Sequence, residues 1–267
     1  MARDPNRKYH DRVAKRYDDV YDSPYWRFYR DLSWRHLKSF LPVTRPAWAA
    51  DLGCGTGWFG ERLLKSGCHV VFLDPSGAMI EQAREAAARE SSRGLETQFV
   101  QTGMEQMGEI ASGLLDFATA QGDPLSFCEE PARALGELAR IVKPGGAVVL
   151  SVDSRIAGVK SLLNERDPEP ALELLRTGRT KWRGDRTDER FGMKMFEPAE
   201  LRKLLERAGF EPLSLIAKTV LVQRANESWL EDPSRSRELL AAEERVHDQP
   251  EYFGLAGHLQ IAARRRG

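Results

Sequence analysis

A doubly wound α/β fold with a mostly parallel sheet is predicted by three features of the sequence. Short apolar runs of strand length alternate with segments whose apolar residues recur every 3.6 positions. A glycine-rich turn, Asp51-Leu52-Gly53-Cys54-Gly55-Thr56-Gly57, ends the first run, and the second run ends on an acid, Asp74. With 267 residues, 41% of them hydrophobic, the chain can build one large domain or two small ones around a buried core.

Residues 1–45 have a helical pattern, with Tyr9, Val13, Tyr17, Val20 and Tyr21 on one stripe. A break is expected at Ser23-Pro24 before Trp26, Tyr29, Leu32, Trp34 and Leu37 continue the pattern. This aromatic-rich segment is read either as a lid over a binding site or as a cap on one side of the core.

Residues 46–153 form the core unit, with candidate strands at Ala47–Leu52, Val70–Leu73, Thr97–Val100, Leu114–Ala120 and Ala147–Val152. Ser76 is placed to cap a helix presenting Met79, Ala83 and Ala86, and Pro131 to open one presenting Leu135, Leu138 and Val142. Lys143-Pro144-Gly145-Gly146 is expected to stop that helix and turn into the fifth strand. Residues 154–196 carry few strand-like runs and many charges, and they read as a substrate-side insertion. Residues 197–267 resume the alternation and complete the same domain. Pro198 opens a helix that ends at Gly209, Leu213–Val222 is strand-like, Leu239, Leu240 and Val246 mark a helix, and His258–Ala262 is the last strand. The sheet would then have seven strands.

Several function classes are excluded by composition. Forty Lys plus Arg balance forty Asp plus Glu, so no whole-chain basic field attracts nucleic acid. The stretch 174–194 is locally basic, as a solvated loop or a site for acidic substrates would be. No apolar run approaches the roughly 20 residues of a membrane helix. The N-terminal residues resemble neither a secretory signal nor a transit peptide, which makes a cytoplasmic location the expectation. Cys54, Cys68 and Cys128 share no metal-ligand spacing and are expected to be free thiols, with no metal site.

The chemistry is concentrated in the glycine turn. Glycines directly after a strand allow a sharp turn and a close ligand approach. Asp74 lies 21 residues after Gly53, the distance at which a second strand presents a carboxylate to ribose hydroxyls. A dinucleotide fingerprint would place its third glycine two residues after the second, whereas Gly57 follows Gly55 after one, so a pyrophosphate cradle is disfavoured.

The D-L-G-C-G-T-G run, the V-V-F-L-D strand followed by P-S-x-x-M-I, and the V-K-P-G-G turn together resemble the class I S-adenosylmethionine-dependent methyltransferases. The F-E-P-A-E-L run at 196–201 extends the resemblance. The chain is most similar to the small-molecule branch of the ubiquinone and menaquinone biosynthesis enzymes, whose members often begin with a helix like Tyr17-Asp18-Asp19-Val20-Tyr21. S-adenosylmethionine is the cofactor this resemblance implies. Gly53, Cys54, Gly55 and Gly57 would form the loop around its methionine part, Asp51 would anchor that loop and meet the amino group directly or through water, and Asp74 would hold the ribose. Pro75 and Met79 would border the adenine, although Met79 also fits a purely core-packing role. Met104 and Glu105 stand near the position of the family's adenine-binding acid, Gln121 and Gly122 lie beneath the cofactor, and Tyr17 reaches it from the N-terminal helix.

A sulfonium methyl is already activated, so alignment dominates catalysis and no catalytic residue is assigned. An acceptor that must lose a proton would need a base, for which Asp123, His247 and His258 are the titratable candidates. The expected partner is a small-molecule acceptor: a quinol, phenol, amine or thiol. An RNA or protein methyltransferase is a second reading. A nicotinamide-dependent oxidoreductase or a non-catalytic nucleoside-binding protein is a third.

Overall fold

The computed structural model describes residues 4–90, 94–164, 168–182 and 186–267; Arg183 and Asp185 of the basic stretch lie outside these residues. Three helices come first: α1 (Pro5–Val13), α2 (Tyr17–Val20) and α3 (Pro24–Leu37). Asp4 caps α1 by accepting from the Asn6 amide, and Pro5 and Pro24 supply the preset φ of a first helical turn.

The central sheet is built from β1 (Ala47–Leu52), β2 (Cys68–Leu73), β3 (Thr97–Val100), β4 (Leu115–Ala120) and β5 (Val142–Asp153), with β8 (Phe210–Lys218) and β9 (His258–Arg265) at the far edge. Their order is β3-β2-β1-β4-β5-β9-β8. The first five strands pair in parallel, and β9 runs antiparallel to both β5 and β8. Strand order reverses between β1 and β4, so the carboxyl ends of those strands open the crevice where ligands of such sheets bind.

The crossover helices are α4 (Trp58–Lys65), α5 (Gly77–Ala88) and α6 (Pro131–Ile141), with α9 (Pro198–Arg207) and α10 (Pro233–Val246) in the C-terminal part. On one face of the sheet Leu52, Leu73, Leu135, Leu138, Leu201 and Phe210 belong to one buried cluster; on the other, Leu63, Leu64, Phe72 and Phe117 form a second. Burial on both faces is why the parallel strands read as continuous apolar runs. A third cluster joins Phe28 and Leu32 of α3 to Leu240 of α10. Ser76 caps α5 as expected, its Oγ accepting from the Met79 amide at 3.1 Å. Among the described residues no helix is long and apolar enough to cross a membrane, and all three cysteines are free.

Three expectations need correction. Lys143–Gly146 does not form a separate turn: β5 already begins at Val142, pairs with Leu115, and absorbs the two glycines as an irregularity before pairing resumes at Ala147. The strand expected at Leu213–Val222 is shifted to Phe210–Lys218. It stops because Thr219 takes a left-handed φ of 62° and Glu243 of α10 accepts from the amides of Val220, Leu221 and Val222, which are then unavailable to a neighbouring strand. The stretch 154–196 holds two helices, α7 (Arg155–Leu163) and α8 (Glu169–Thr177), and an antiparallel hairpin of β6 (Arg179–Trp182) and β7 (Phe191–Lys194). Its exposed polar positions had hidden those strands.

Candidate active site

A cavity of about 450 Å³ opens at the carboxyl ends of β1, β2 and β4. Its floor is the glycine turn. Gly53 and Cys54 donate their amides to the carbonyl of Leu73 at 2.7 and 2.9 Å, which fastens the turn to the end of β2. Gly57 caps α4 with φ +90°, and a Cβ there would lie 3.0 Å from the Cα of Ala83. Gly60 of α4 is more constrained, since its Cβ would stand 2.0 Å from the ring of Phe72. These two glycines let α4 pack closely on α5 and β2, and neither lines the cavity.

Asp74 does line it. Its Oδ2 accepts from the Gly55 amide at 2.9 Å and its Oδ1 from the Ser76 amide at 2.9 Å. Burial pushes its pKa up, against the pull of the Ser76 amide and nearby His10. Each carboxylate oxygen keeps a second lone pair for a hydroxyl donor. Pro75, Met104 and Glu105 continue this wall, although the Glu105 carboxylate accepts from the Glu130 amide at 2.5 Å. Gln121 and Gly122 close the underside, where Gln121 Oε1 is buried without a hydrogen-bond partner. Cys54 also faces the cavity, with burial holding its thiol well above the usual range, so it is a filler and not a nucleophile.

Asp51 and Met79 lie elsewhere. Asp51, 1% exposed, sits behind the turn, where its Oδ2 accepts from the Gly60 amide at 2.8 Å. Burial pushes its pKa to about 8. Met79 is fully buried at the start of α5 and has no cavity surface.

The roof comes from the N-terminal helices. Tyr17 lines the cavity, its ring 4.5 Å from that of Tyr21, and desolvation keeps its hydroxyl protonated. Asp18 accepts from Thr56 Oγ1 at 2.7 Å and Asp11 from Ser76 Oγ at 2.6 Å, which ties α2 and α1 to the strand ends. Arg12 holds Glu189 beside β7 through two bonds of 2.6 Å. Tyr9 packs on Trp182 with ring centroids 4.3 Å apart. The helices and the hairpin thus meet over the opening.

Beyond Gly122 the cavity continues into a region that motif reasoning did not assemble. Trp26 and Tyr29 from α3, Phe191 and Met193 from β7, and Asp123, Asp153 and His258 bound it. His258 Nδ1 lies 2.7 Å from Asp123 Oδ2 and 3.7 Å from Asp153 Oδ1. Lys218, fully buried, donates to Tyr29 Oη at 2.6 Å. His247 is separate from this group; its ring faces that of His36 at 6.4 Å.

Residues 49–146 match the family model described as a methyltransferase domain. Residues 49–146 are thus a methyltransferase domain, and with the strand order and the Asp51–Gly57 and Asp74 arrangement the chain is similar to the class I S-adenosylmethionine-dependent methyltransferases. A ubiquinone biosynthesis O-methyltransferase of Pseudomonas aeruginosa is 30% identical over 169 residues, which is 63% of this chain and 66% of that protein, just under two thirds of its length. A malonyl-[acyl-carrier protein] O-methyltransferase of Pectobacterium atrosepticum is 29% identical over 45% of this chain and 44% of its own. Among solved structures, an S-adenosylmethionine-dependent methyltransferase from Methanosarcina mazei superimposes with a TM-score of 0.60 at 22% identity, over 86% of this chain and 97% of that one. A 1,6-didemethyltoxoflavin-N1-methyltransferase from Burkholderia thailandensis, solved with S-adenosylhomocysteine, gives 0.57 at 18% identity, over 97% and 88%. These structures share the fold.

The family's methyl donor is S-adenosylmethionine, and the residues present suit it. Asp74 offers an acceptor to ribose hydroxyls, and the orphaned Gln121 Oε1 offers another on the underside. Replacing Asp74 with Ala is expected to weaken cofactor binding by one to two decades in Kd, roughly 1.5–3 kcal/mol, because charge-assisted hydrogen bonds are lost. Calorimetry on the folded variant checks this, and an unchanged Kd would reduce Asp74 to an organiser of the turn.

Proposed function

We propose that the chain transfers a methyl group from S-adenosylmethionine to a hydroxyl of a small aromatic acceptor. The observation carrying this reading is the continuous cavity, which runs from Asp74 and the glycine turn to an end walled by Trp26, Tyr29, Phe191 and His258. Aromatic walls suit a planar acceptor, and titratable groups at that end suit one that must lose a proton. The cavity's volume, roofed by α1–α3, fits a small molecule better than a protein side chain or a flipped nucleotide still attached to its polymer. The ubiquinone biosynthesis O-methyltransferase among the relatives agrees with an oxygen acceptor.

The bound cofactor supplies an electrophilic methyl on a sulfonium centre. The protein's contribution is alignment and exclusion of water. Asp74 and the turn hold the donor, the aromatic walls orient the acceptor, and the N-terminal helices roof the site in the role of a lid. The loop between β4 and α6 would set the distance between the two halves.

Thermal melting and product analysis test the reading. S-adenosylmethionine or S-adenosylhomocysteine at a hundredfold excess over Kd is expected to stabilise the protein by about 2.7 kcal/mol, and NAD by nothing. Incubation with phenols, catechols, amines and thiols is expected to release S-adenosylhomocysteine with hydroxyl acceptors. Stabilisation by NAD alone would sink the cofactor assignment, and turnover of thiols or amines but no hydroxyls would sink the acceptor assignment.

A further inference from the structure

We infer that His258 is the general base of this site, oriented by Asp123 and backed by Asp153. The inference rests on the hydroxyl-acceptor reading above. It starts from topology: Asp123 lies three residues beyond the end of β4 and Asp153 ends β5. His258 opens the antiparallel β9 opposite Asp153. Positions far apart in the chain therefore meet at one point of the strands' carboxyl edge, on the wall of the cavity's aromatic end.

The geometry assigns separate roles. Asp123 is held rigidly, with a left-handed φ of 66° and its amide donating to Ser151 Oγ at 3.0 Å. Its Oδ2 takes His258 Nδ1 at 2.7 Å, which fixes the proton on that nitrogen and leaves Nε2 with its lone pair. The imidazole is clamped edge-on by Tyr29 and Trp26, with centroids 5.0 and 6.3 Å away. Asp123 and Asp153 are positioning residues, while His258 is the group within reach of an acceptor in the aromatic pocket.

The same three residues have a donor set that a divalent cation could use. Charge balance favours the base. With His258 neutral, Lys218, buried in the same neighbourhood, already offsets one of the two carboxylates. A divalent ion would leave an excess of buried positive charge.

The reaction then balances without a further reactant. A lone pair of the acceptor oxygen forms the new O–CH3 bond as the S–CH3 bond breaks, and its electron pair stays on sulfur as S-adenosylhomocysteine. The hydroxyl proton passes to His258 Nε2 and later to solvent. Asp123, Asp153, Lys218, Tyr21 and Tyr29 face the imidazole or its partners, so the group titrates as a coupled unit.

The test uses His258→Ala, His258→Gln and Asp123→Asn in the full chain, with His247→Ala as a control, on the hydroxyl acceptor that the wild type turns over fastest. The His258 variants are expected to lose 10²- to 10⁴-fold in kcat with S-adenosylmethionine affinity retained. Added imidazole should restore part of the rate to His258→Ala, and the loss should shrink for more acidic phenols. Asp123→Asn should move the acid limb of the pH–rate profile to lower pH, because a carboxylate that favours the imidazolium is gone; a merely structural role would leave the limb in place. If one His258 variant fails to fold, the other carries the measurement. A His258 variant within threefold of wild-type kcat overturns the base, as does activity abolished by EDTA and restored by Mg²⁺. A wild type that methylates no hydroxyl overturns the acceptor reading itself and the base with it, an outcome visible before any variant is made.

Discussion

Asp51→Asn is expected to raise the melting temperature at pH 7–8 and to flatten the protein's stability across pH 4–8. Burial lifts the Asp51 carboxyl from its ordinary 3.8 to about 8, so folding takes up a proton anywhere between those values. The native state there binds more protons than the unfolded chain, and this group's contribution to stability falls as pH rises from about 4 to about 8. At 1.36 kcal/mol per pH unit the cost at pH 7 reaches about 4 kcal/mol as an upper bound. Asparagine keeps an oxygen for the Gly60 amide and has no proton to take up, so a gain of about 2–4 kcal/mol is expected, worth roughly 5 °C or more. Melting curves at pH 4.5 and 8 check this: a difference between variant and wild type that is the same at both would refute the buried-acid account. The substitution should also weaken S-adenosylmethionine binding. A cationic ligand in the cavity would favour ionisation of Asp51 behind the turn, and a costly buried acid kept next to a binding turn is the usual trade of stability for function.

The part of the site that was legible in the sequence is local. Gly53, Gly55, Asp74 and Pro75 lie within a single βαβ unit, where strand, turn and helix follow from spacing alone. Gly57 and Met79 belong to that stretch too, but side-chain direction is not contained in spacing. Gly57 serves the contact with Ala83, and Met79 points into the core. Gly60, one turn further on, has a packing reason, the Phe72 ring beneath it.

The far end of the cavity was legible only as the separate candidates Asp123 and His258, since these and Asp153 meet only through the β5–β9 pairing and the end of β4. A lone histidine at the head of an apolar run was the one available signal, and His247 carried a similar one without reaching the cavity. Lys218 falls inside the run Leu213–Val222 read as a strand, where a lysine would be expected to face water; Tyr29 and Ser33 of α3 instead take its ammonium group indoors. Burial pulls its pKa down to about 8. The partners that decide such a residue's fate lie some 180 positions away.

Gly53→Ala and Gly55→Ala are expected to fail in different ways although the two glycines share a motif. Gly53 has φ +67°, and an added Cβ would stand 2.5 and 2.7 Å from Cγ and Cβ of Pro124. The pyrrolidine ring cannot rotate aside, so the loop after β4 must shift. Overpacking costs about 1–3 kcal/mol and a left-handed alanine about 1–2 kcal/mol, which places the loss at roughly 2–5 kcal/mol and 5–15 °C in melting temperature. Gly55 has φ +52°, but its Cβ would meet only Tyr17 Cε1 at 3.9 Å, so the fold loses little beyond the backbone strain. That methyl points to the Tyr17 side of the cavity, into the space where the family resemblance puts the cofactor's methionine part. Melting and calorimetry on both variants separate the effects: Gly53→Ala should melt early, whereas Gly55→Ala should melt within a few degrees of wild type yet bind S-adenosylmethionine at least tenfold more weakly. Wild-type affinity in Gly55→Ala would show that the cofactor does not approach the turn there, and an unshifted melt in Gly53→Ala would show that Pro124 does not press on the turn in solution. If both hold, the contact between the turn after β1 and the loop after β4 sets the spacing between donor and acceptor halves, because Pro124 adjoins Asp123 and anything that moves the proline moves the carboxylate that orients His258.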